Sequence, residues 1–326
     1  MRLLQVCNVG RIIGGTAACA WSVAAALPEH RHAVAVLGPI DPAMRDAFGP
    51  IPLRSIGRVT PAVVAGFDAV ILHNTAAARC ERLPIPSLLY RHSPGGTAAA
   101  TRSVCCSRWL GGRLGIADEV LHQGVPRTRP QPRGLGDRLV VGRICTPTPR
   151  KWPPDLPAFS RRLATRHPQV RWEFVGCPEA MQPALRDACG EQVRFHAAGW
   201  AARRHLGRWD ALLYSNPALP ETFGRTVAEA MLAGCVPIVD DAGGFREQVD
   251  PDRSGFLCRD VDDFDAALTT LRDPIRRRRL SHAAMQCGEA FTHAAFGRRL
   301  RPLLGSLIGQ ATPDGVPRTK PASCHI

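Results

Sequence analysis

Long apolar runs, paired cysteines and lysine are missing or scarce in this sequence of 326 residues. No stretch reaches the roughly 18 consecutive apolar residues that a membrane-spanning helix needs. The opening residues 1–8 turn polar too early for a signal peptide, so we expect a cytoplasmic protein. The twelve cysteines form no Cys-x-x-Cys pair and no Cys/His ladder with metal spacing, which argues against a disulfide framework and a structural zinc site.

Positive charge is in excess and is spread along the chain. The formal net charge is +14, and 40 of the 42 basic residues are arginine, since only Lys151 and Lys320 are lysine. This charge favours phosphate-bearing ligands, anionic lipid or nucleic acid, and it is equally typical of a soluble basic protein. The Arg276–Arg279 cluster leaves open a peripheral contact with the inner face of an anionic membrane, although a solvated helix face is the simpler interpretation. We expect no nucleic-acid partner, and the sequence carries no signal of oligomeric state.

Short apolar runs alternate with helix-forming segments, as is typical of parallel strands buried on both faces. Strands are predicted at residues 3–6, 34–37, 69–73, 87–92, 138–144, 170–175, 192–196, 211–214 and 236–239. Helices are predicted at residues 16–27, 156–166, 181–189, 226–233 and 261–271, and a further helical region at 276–304. A chain of this length exceeds one open α/β core, so we expect two domains with a cleft between them.

A cluster of proline, arginine and glycine at residues 125–137 interrupts the alternation. We therefore predict one domain over residues 1–137 and a second over residues 138–290. A C-terminal helix is predicted at 291–308 and a tail at 309–326.

The strongest chemical signal lies between residues 211 and 234, where a strand, a proline-bearing loop and a helix follow one another. Backbone N–H groups of Phe223, Gly224 and Arg225 would lie at the helix N-terminus. That position favours a diphosphate, because the free N–H groups donate hydrogen bonds and the helix dipole attracts negative charge. Glycine at 224 lets a ligand approach closely.

Two carboxylates flank this helix start. Glu221 lies in the loop, and Glu229 lies one turn inside the helix on the face shared with Arg225 and Thr226, so both can point into one cleft. There they can accept hydrogen bonds from the vicinal hydroxyls of a nucleotide sugar. Acidic residues also favour helix starts for local reasons, so on spacing alone the two interpretations are equally good.

As a whole, residues 220–237 resemble the Glu-x7-Glu segment of family-4 retaining glycosyltransferases with the GT-B fold. The resemblance continues in three further segments, Gly14-Gly15, 241–247 and 254–257, and covers nearly the whole chain. It implies an α/β protein of two Rossmann-like domains facing a central cleft, with the donor on the second domain, the acceptor on the first and no metal. It also implies that Glu221 contacts the donor sugar and Glu229 the ribose, and that the terminal helix crosses back to the first domain.

The same resemblance places a lysine and an arginine on the donor diphosphate. Lys151 matches the lysine, whereas the position of the arginine is occupied by Thr146, so either Arg143 or Arg150 substitutes or the site is weaker. Fixed cations there would stabilise the departing nucleoside diphosphate. Gly14-Gly15, between a strand and a helix, would bring backbone amides to the same phosphates.

Histidines end two predicted strands, His73 and His92. A lone histidine at a strand end is more often structural than catalytic. His92 resembles the strand-end histidine that faces the donor sugar in this family, with His73 as the neighbouring alternative. The predicted catalytic residues are His92, Glu221 and Lys151, and the predicted donor-binding residues are Gly14, Gly15, Arg143, Lys151, Phe223, Gly224, Arg225, Thr226 and Glu229.

Two acidic pairs could suggest a metal motif. Asp240-Asp241 fits a strand-end turn, and Asp262-Asp263 fits a helix N-terminus, so we predict no metal site and no cofactor besides the donor substrate.

The predicted function is metal-independent, retaining transfer of a sugar from a nucleoside diphosphate sugar to a glycan, lipid-linked or small-molecule acceptor. No strong general base is evident, and in retaining members of the family the departing phosphate takes the acceptor proton. Two alternatives stay open. A GT-B sugar-nucleotide epimerase would need an acid–base pair in the cleft, and a non-catalytic GT-B-like polyanion-binding protein is favoured by the charge and by Thr146.

Overall fold

The computed structural model describes residues 1–116, 119–131 and 138–309, which form two α/β domains. The strands of the first domain are β1 (Arg2–Cys7), β2 (Arg31–Val36), β3 (Leu53–Ser55), β4 (Ala69–His73), β5 (Ser87–Arg91) and β6 (Arg102–Cys105). Its helices are α1 (Gly15–Ala26), α2 (Pro42–Phe48), α3 (Pro61–Val64) and α4 (Arg108–Arg113). All strand pairs are parallel, and the order is β3-β2-β1-β4-β5-β6.

The second domain repeats this topology. Its strands are β7 (Val140–Ile144), β8 (Arg171–Val175), β9 (Arg194–His196), β10 (Ala211–Tyr214), β11 (Val236–Asp240) and β12 (Phe256–Cys258). The helices that follow are α5 (Leu156–Arg166), α6 (Gln182–Cys189), α7 (Arg225–Leu232), α8 (Val261–Arg272), α9 (Pro274–Gly288) and α10 (His293–Gly309). Its parallel order is β9-β8-β7-β10-β11-β12. With strands numbered within each domain, both sheets have the order 3-2-1-4-5-6, so both domains are Rossmann-like, as predicted.

The predicted elements are confirmed, with strand bounds within three residues and the bounds of the five individual helices within one. The sequence missed the short strands β3, β6 and β12 and the short helices α2 to α4. All three of those strands lie at sheet edges, where partly exposed residues interrupt the apolar run. The helical region at 276–304 is divided between α9 and α10. The proposed boundary at residue 137 and residues 310–326 of the proposed tail lie outside the described residues.

The last helix of the chain packs on the first domain. Its buried face carries leucines at the helical spacing i, i+3, i+4 and i+7, namely Leu300, Leu303, Leu304 and Leu307. These leucines share one core with residues of β1 and α1, and the Val125 N–H donates to the Phe291 carbonyl at 2.8 Å just before α10. Among the described residues, no helix combines the length and the apolar character needed to cross a bilayer.

A carboxylate of the second domain binds the start of a helix in the first. Glu247 accepts hydrogen bonds from the backbone N–H groups of Arg108 (2.9 Å) and Trp109 (2.8 Å) and from His122 Nε2 (2.9 Å). Burial would raise the pKa of Glu247, but the bonds from His122 and the two N–H groups outweigh it and lower that pKa. The ionised carboxylate therefore ties α4 to the second domain.

Replacing Glu247 with alanine is expected to lower the free energy of unfolding by about 1–3 kcal/mol, because three donors lose a charged acceptor. Amide hydrogen exchange at Arg108 and Trp109 should accelerate, which mass spectrometry can follow. Glu81→Ala is the matched control, since Glu81 is 44% exposed and pairs with Arg58 only at the surface; its effect should stay within about 0.5 kcal/mol. Equal effects of the two substitutions would contradict the role given to Glu247.

Candidate functional site

A cleft of about 730 Å³ lies between the two sheets, at their carboxyl ends. Residues that directly follow strands of the first domain line one wall, for example Asn8, Asn74 and His92. Residues at or after the ends of β7 and β10 line the other, for example Cys145 and Tyr214. Ligands of open parallel sheets bind in this position, because the strand ends deliver loops and helix N-termini there.

Ten of the eleven predicted site residues line this cleft. They are Gly14, Gly15, His92, Lys151, Glu221, Phe223, Gly224, Arg225, Thr226 and Glu229. They come from both domains and from four separate segments of the chain, so the sequence pattern selected residues that only the fold brings together.

Arg143 is the exception, and its predicted place on the diphosphate needs correction. Arg143 is 2% exposed, and its guanidinium carbon lies 4.5 Å from the ring centre of Tyr214 and 5.3 Å from that of Trp152. It donates hydrogen bonds to the carbonyls of Ser215 (3.1 Å) and Lys151 (2.8 Å). Arg143 therefore supports the Lys151 loop from behind, and the alternative, Arg150, is the arginine of that loop that lines the cleft.

Lys151 and Glu221 form an ion pair inside the cleft. Lys151 Nζ donates to Glu221 Oε1, and the Tyr214 hydroxyl donates to the same oxygen at 2.8 Å. Both charged side chains are largely buried, with 16% and 21% exposed. Burial, followed by the nearby Glu221 charge, raises the pKa of Tyr214, so the hydroxyl keeps its proton and can donate.

Sequence reasoning missed Tyr214. The available signal was its place as the last residue of a predicted strand, directly before the loop that carries Glu221.

The helix that carries Glu229, α7, begins within one residue of its predicted start. Gly224 precedes α7 in the left-handed conformation, with φ of 85°, and has no side chain to cap the helix. A Cβ atom there would lie 2.5 Å from Cε1 of Phe245. Phe223 is 1% exposed and packs in the core, so its contribution to the cleft comes from the backbone. The N-terminus of α7 therefore presents N–H groups to the cleft.

His92 belongs to a directional hydrogen-bond chain. Arg225 Nη1 donates to Gln123 Oε1 (3.1 Å), so the Gln123 amide nitrogen faces His92 Nδ1 (2.9 Å) and donates to it. His92 must then carry its proton on Nε2, which donates to His73 Nδ1 (3.1 Å), and His73 Nε2 donates to Gln5 Oε1 (3.0 Å). Because an arginine can only donate, Arg225 determines the tautomer of both histidines.

These hydrogen bonds change the role predicted for His92. Both ring nitrogens are used inside the protein, so in this state the ring has none available to act on a substrate. Burial lowers the pKa of His73 to about 3, and burial, then His73 and Arg225, lowers that of His92 well below its usual range. The ring of His92 is thus neutral and structural, and its backbone carbonyl accepts from Thr222 Oγ1 at 2.7 Å across the domain boundary.

Acid should weaken the folded state through these buried histidines. Their folded pKa values lie below the unfolded value near 6.5, so the unfolded chain binds more protons and stability falls as pH falls from about 7 towards 3. His73 alone should contribute a loss of about 2 kcal/mol between pH 7 and pH 5.

Urea unfolding at both pH values checks this, since His73→Asn should remove that part of the pH dependence. The exposed His282→Ala controls for the loss of a histidine. An unchanged pH dependence in His73→Asn would refute the prediction.

The acidic pairs lie where local structure predicted them. Asp240 ends β11 and accepts from the Asn216 N–H, and Asp262 and Asp263 lie in the first turn of α8. The Arg276–Arg279 cluster lies on α9, outside the cleft lining and next to Ile275, which is 76% exposed. The membrane contact of this cluster stays a prediction.

Residues 138–273 match the model of the family Glycosyl transferases group 1. A GDP-mannose-dependent alpha-mannosyltransferase of Mycolicibacterium smegmatis is 39% identical over 101 residues, which cover 27% of this chain and 27% of that protein. The matched part of this chain thus spans about a quarter of the length of this relative.

Solved structures resemble almost the whole chain. Anabaena Alr3699/HepE in complex with UDP-glucose has a TM-score of 0.74 at 18% identity, covering 94% of this chain and 100% of that one. A glycosyltransferase from Rickettsia africae ESF-5 has a TM-score of 0.72 at 13% identity, covering 94% and 98%. Sucrose-phosphate synthase from Thermosynechococcus elongatus has a TM-score of 0.70 at 15% identity, covering 95% and 100%. The chain therefore has the GT-B fold of two Rossmann-like domains. Its residues 138–273 match the Glycosyl transferases group 1 family model.

Proposed function

We propose that this chain is a family-4 retaining glycosyltransferase that moves a sugar from a nucleoside diphosphate sugar to an acceptor held on the first domain, without a metal. One observation carries the proposal. Lys151, Glu221, Glu229 and the N-terminus of α7 meet the Gly14-Gly15 turn of the other domain in a single cleft. The two glutamates of the Glu-x7-Glu motif thus face a space large enough for a ligand.

The donor diphosphate lies between the Lys151 ammonium group and the start of α7. Both supply positive charge that is fixed before the reaction, and Arg150 on the same wall can add to it. The Gly14-Gly15 turn closes the space from the first domain, because a Cβ atom on Gly15 would lie 3.9 Å from Arg225 Cδ. Charge that develops on the leaving diphosphate is stabilised from three sides, and this supports metal-independent transfer.

The two glutamates hold the ends of the donor. Glu221 receives two donors in the protein, Lys151 and Tyr214, and its second carboxylate oxygen can accept from sugar hydroxyls. Glu229 lies 3.6 Å from an Arg225 nitrogen and is 13% exposed, which suits an acceptor for the ribose hydroxyls. The Lys151–Glu221 pair thus links sugar recognition to diphosphate binding.

The distribution of groups around the sugar supports retention of configuration. His92 has no free ring nitrogen in this state, and Glu221 is engaged by a lysine and a tyrosine, so neither is suited to act as a strong base. The departing phosphate, held next to Lys151, takes the acceptor proton as the new bond forms on the same face.

A panel of nucleotide sugars tests the proposal, starting with GDP-mannose and UDP-glucose because these are named for the mannosyltransferase and for the HepE complex. The bound donor should raise the melting temperature, and transfer or slow hydrolysis should release the nucleoside diphosphate. Nuclear magnetic resonance of the product should show the anomeric configuration of the donor, and EDTA should not reduce the rate.

Inversion of configuration, or a rate restored only by added metal, would overturn the finer parts of the proposal. Interconversion of two nucleotide sugars would identify an epimerase. Salt-sensitive binding of RNA or DNA without donor turnover would identify a polyanion-binding protein.

A further inference from the structure

Three side chains with metal-binding atoms converge on the second domain, outside the cleft lining. Glu173 lies on β8, His196 ends β9, and His205 lies in the 3₁₀ segment Trp200–Arg208. One ligand atom from each lies within 4.8 Å of the other two. Glu173 Oε2 is 3.1 Å from His196 Nε2 and 3.8 Å from His205 Nδ1. Two ligand atoms at about 2.0–2.2 Å from a tetrahedral metal are roughly 3.3–3.6 Å apart, close to both distances from Glu173.

We propose that Glu173, His196 and His205 form a binding site for a divalent transition metal of the zinc class. Two imidazoles and one carboxylate suit Zn²⁺ and its neighbours Co²⁺ and Ni²⁺, and a water molecule would complete a tetrahedral set. This inference is independent of the proposed transferase activity.

One of the two imidazoles already presents a lone pair at its potential ligand nitrogen. Arg208 Nη2 lies 3.0 Å from His205 Nδ1, and because arginine only donates, that nitrogen presents a lone pair. Arg208 is exposed, so its guanidinium group can give way to a cation. His196 Nε2 faces the carboxylate, and a metal would take the place of its proton while the ring keeps one proton on Nδ1.

The surroundings of the carboxylate support the same interpretation. Trp209 Nε1 donates to Glu173 Oε2 at 2.9 Å and holds the carboxylate in place, as outer-sphere partners do in metal sites. Glu173 and His205 are buried, whereas the side chain of His196 is 28% exposed and leaves a path for entry.

A cation at this site would brace one wall of the cleft. The 3₁₀ segment that carries His205 also supplies the cleft residues Trp200, Ala202 and Arg203. Coordination would tie this segment to β8 and β9. The metal would therefore act on the rigidity of the second domain and not on chemistry in the cleft.

Cobalt titration of tag-free, EDTA-stripped protein tests the site. We expect one equivalent of Co²⁺ to bind with the visible absorption of a tetrahedral site and without the near-ultraviolet band of a thiolate ligand. Zn²⁺ should displace the cobalt and raise the melting temperature. Glu173→Gln, His196→Ala and His205→Ala should each weaken binding at least tenfold, and Trp209→Phe, which leaves all three ligands in place, should weaken it about tenfold.

Two controls make the result decisive. His282→Ala removes an exposed histidine on α9 and should leave binding unchanged. Cys19→Ser affects the buried group Cys19, His73 and His92, which could also hold a metal. Glu173→Gln is nearly isosteric and keeps the test valid if an alanine variant unfolds. The proposal fails if no cobalt binds, if Glu173→Gln binds as the parent does, or if a thiolate band appears that Cys19→Ser abolishes.

Discussion

Replacing Lys151 with alanine is expected to lower kcat/KM for sugar transfer by about a hundred- to a thousandfold, the usual effect of losing one fixed group that stabilises developing charge. The ammonium group of Lys151 is held in place by a carboxylate, since Glu221 accepts a hydrogen bond from it and another from Tyr214. Without the ammonium group the leaving diphosphate loses its nearest side-chain cation in the proposed complex. Glu221 also loses the partner that orients it towards the sugar.

Steady-state kinetics with the donor found in the panel measure this effect. Lys151→Arg keeps the charge and should recover part of the rate, because the guanidinium group is larger and has a different geometry. Arg278→Ala removes an exposed cation on α9 and should leave kcat/KM unchanged. A loss below tenfold in Lys151→Ala, with the melting temperature preserved, would remove Lys151 from the proposed site.

Gly224→Ala is expected to weaken binding of the nucleoside diphosphate at least tenfold and to lower the free energy of unfolding by about 1–3 kcal/mol. The φ of 85° is strained for any side chain, and the new methyl group would lie 2.5 Å and 2.8 Å from two ring carbons of Phe245. Phe245 is 2% exposed, so its ring has little room to move away. The start of α7 must shift instead, and its N–H groups move with it.

Calorimetric titration of the nucleoside diphosphate and urea unfolding measure the two effects. Gly305→Ala is the matched control, because Gly305 lies within α10 and a Cβ atom there meets nothing within 4 Å. That substitution should leave binding unchanged and stabilise the protein by up to about 1 kcal/mol. Unimpaired binding by Gly224→Ala would show that the ligand does not depend on the α7 N-terminus.

Arg225 shows how far a residue can depart from what its local position suggests. Its place at a helix N-terminus, directly after Gly224 and near Glu221, predicts a phosphate contact. In the fold, its guanidinium group donates to Gln123 Oε1, to the Gly124 carbonyl (2.8 Å) and to Ser22 Oγ (3.2 Å), all in the first domain. Its side chain is 9% exposed, and it links the two domains while it determines the tautomer of His92.

The candidate site could be predicted as a set of segments but not as a set of contacts. Glycines, a loop lysine and paired glutamates follow strands, and parallel sheets bring the ends of their strands to one edge, so the shared cleft was predictable. Gln123 was missed because nothing in its immediate sequence marks it, and its partner Arg225 is 102 residues away in the chain. Tyr214 was missed although it ends a predicted strand and bonds to Glu221 only seven residues later.

Local sequence is enough to predict two domains, the parallel strands, the α7 N-terminus with Glu221 and Glu229, and Lys151, because hydrophobic periodicity, glycine and helix-start chemistry act over a few residues. Contacts between distant segments place Arg143 behind the cleft, leave His92 without a free ring nitrogen and bring Glu173, His196 and His205 together. Those outcomes depend on the direction in which each side chain leaves its strand and on what the opposing element places against it. Both are settled by packing between segments far apart in the chain, which no local pattern records.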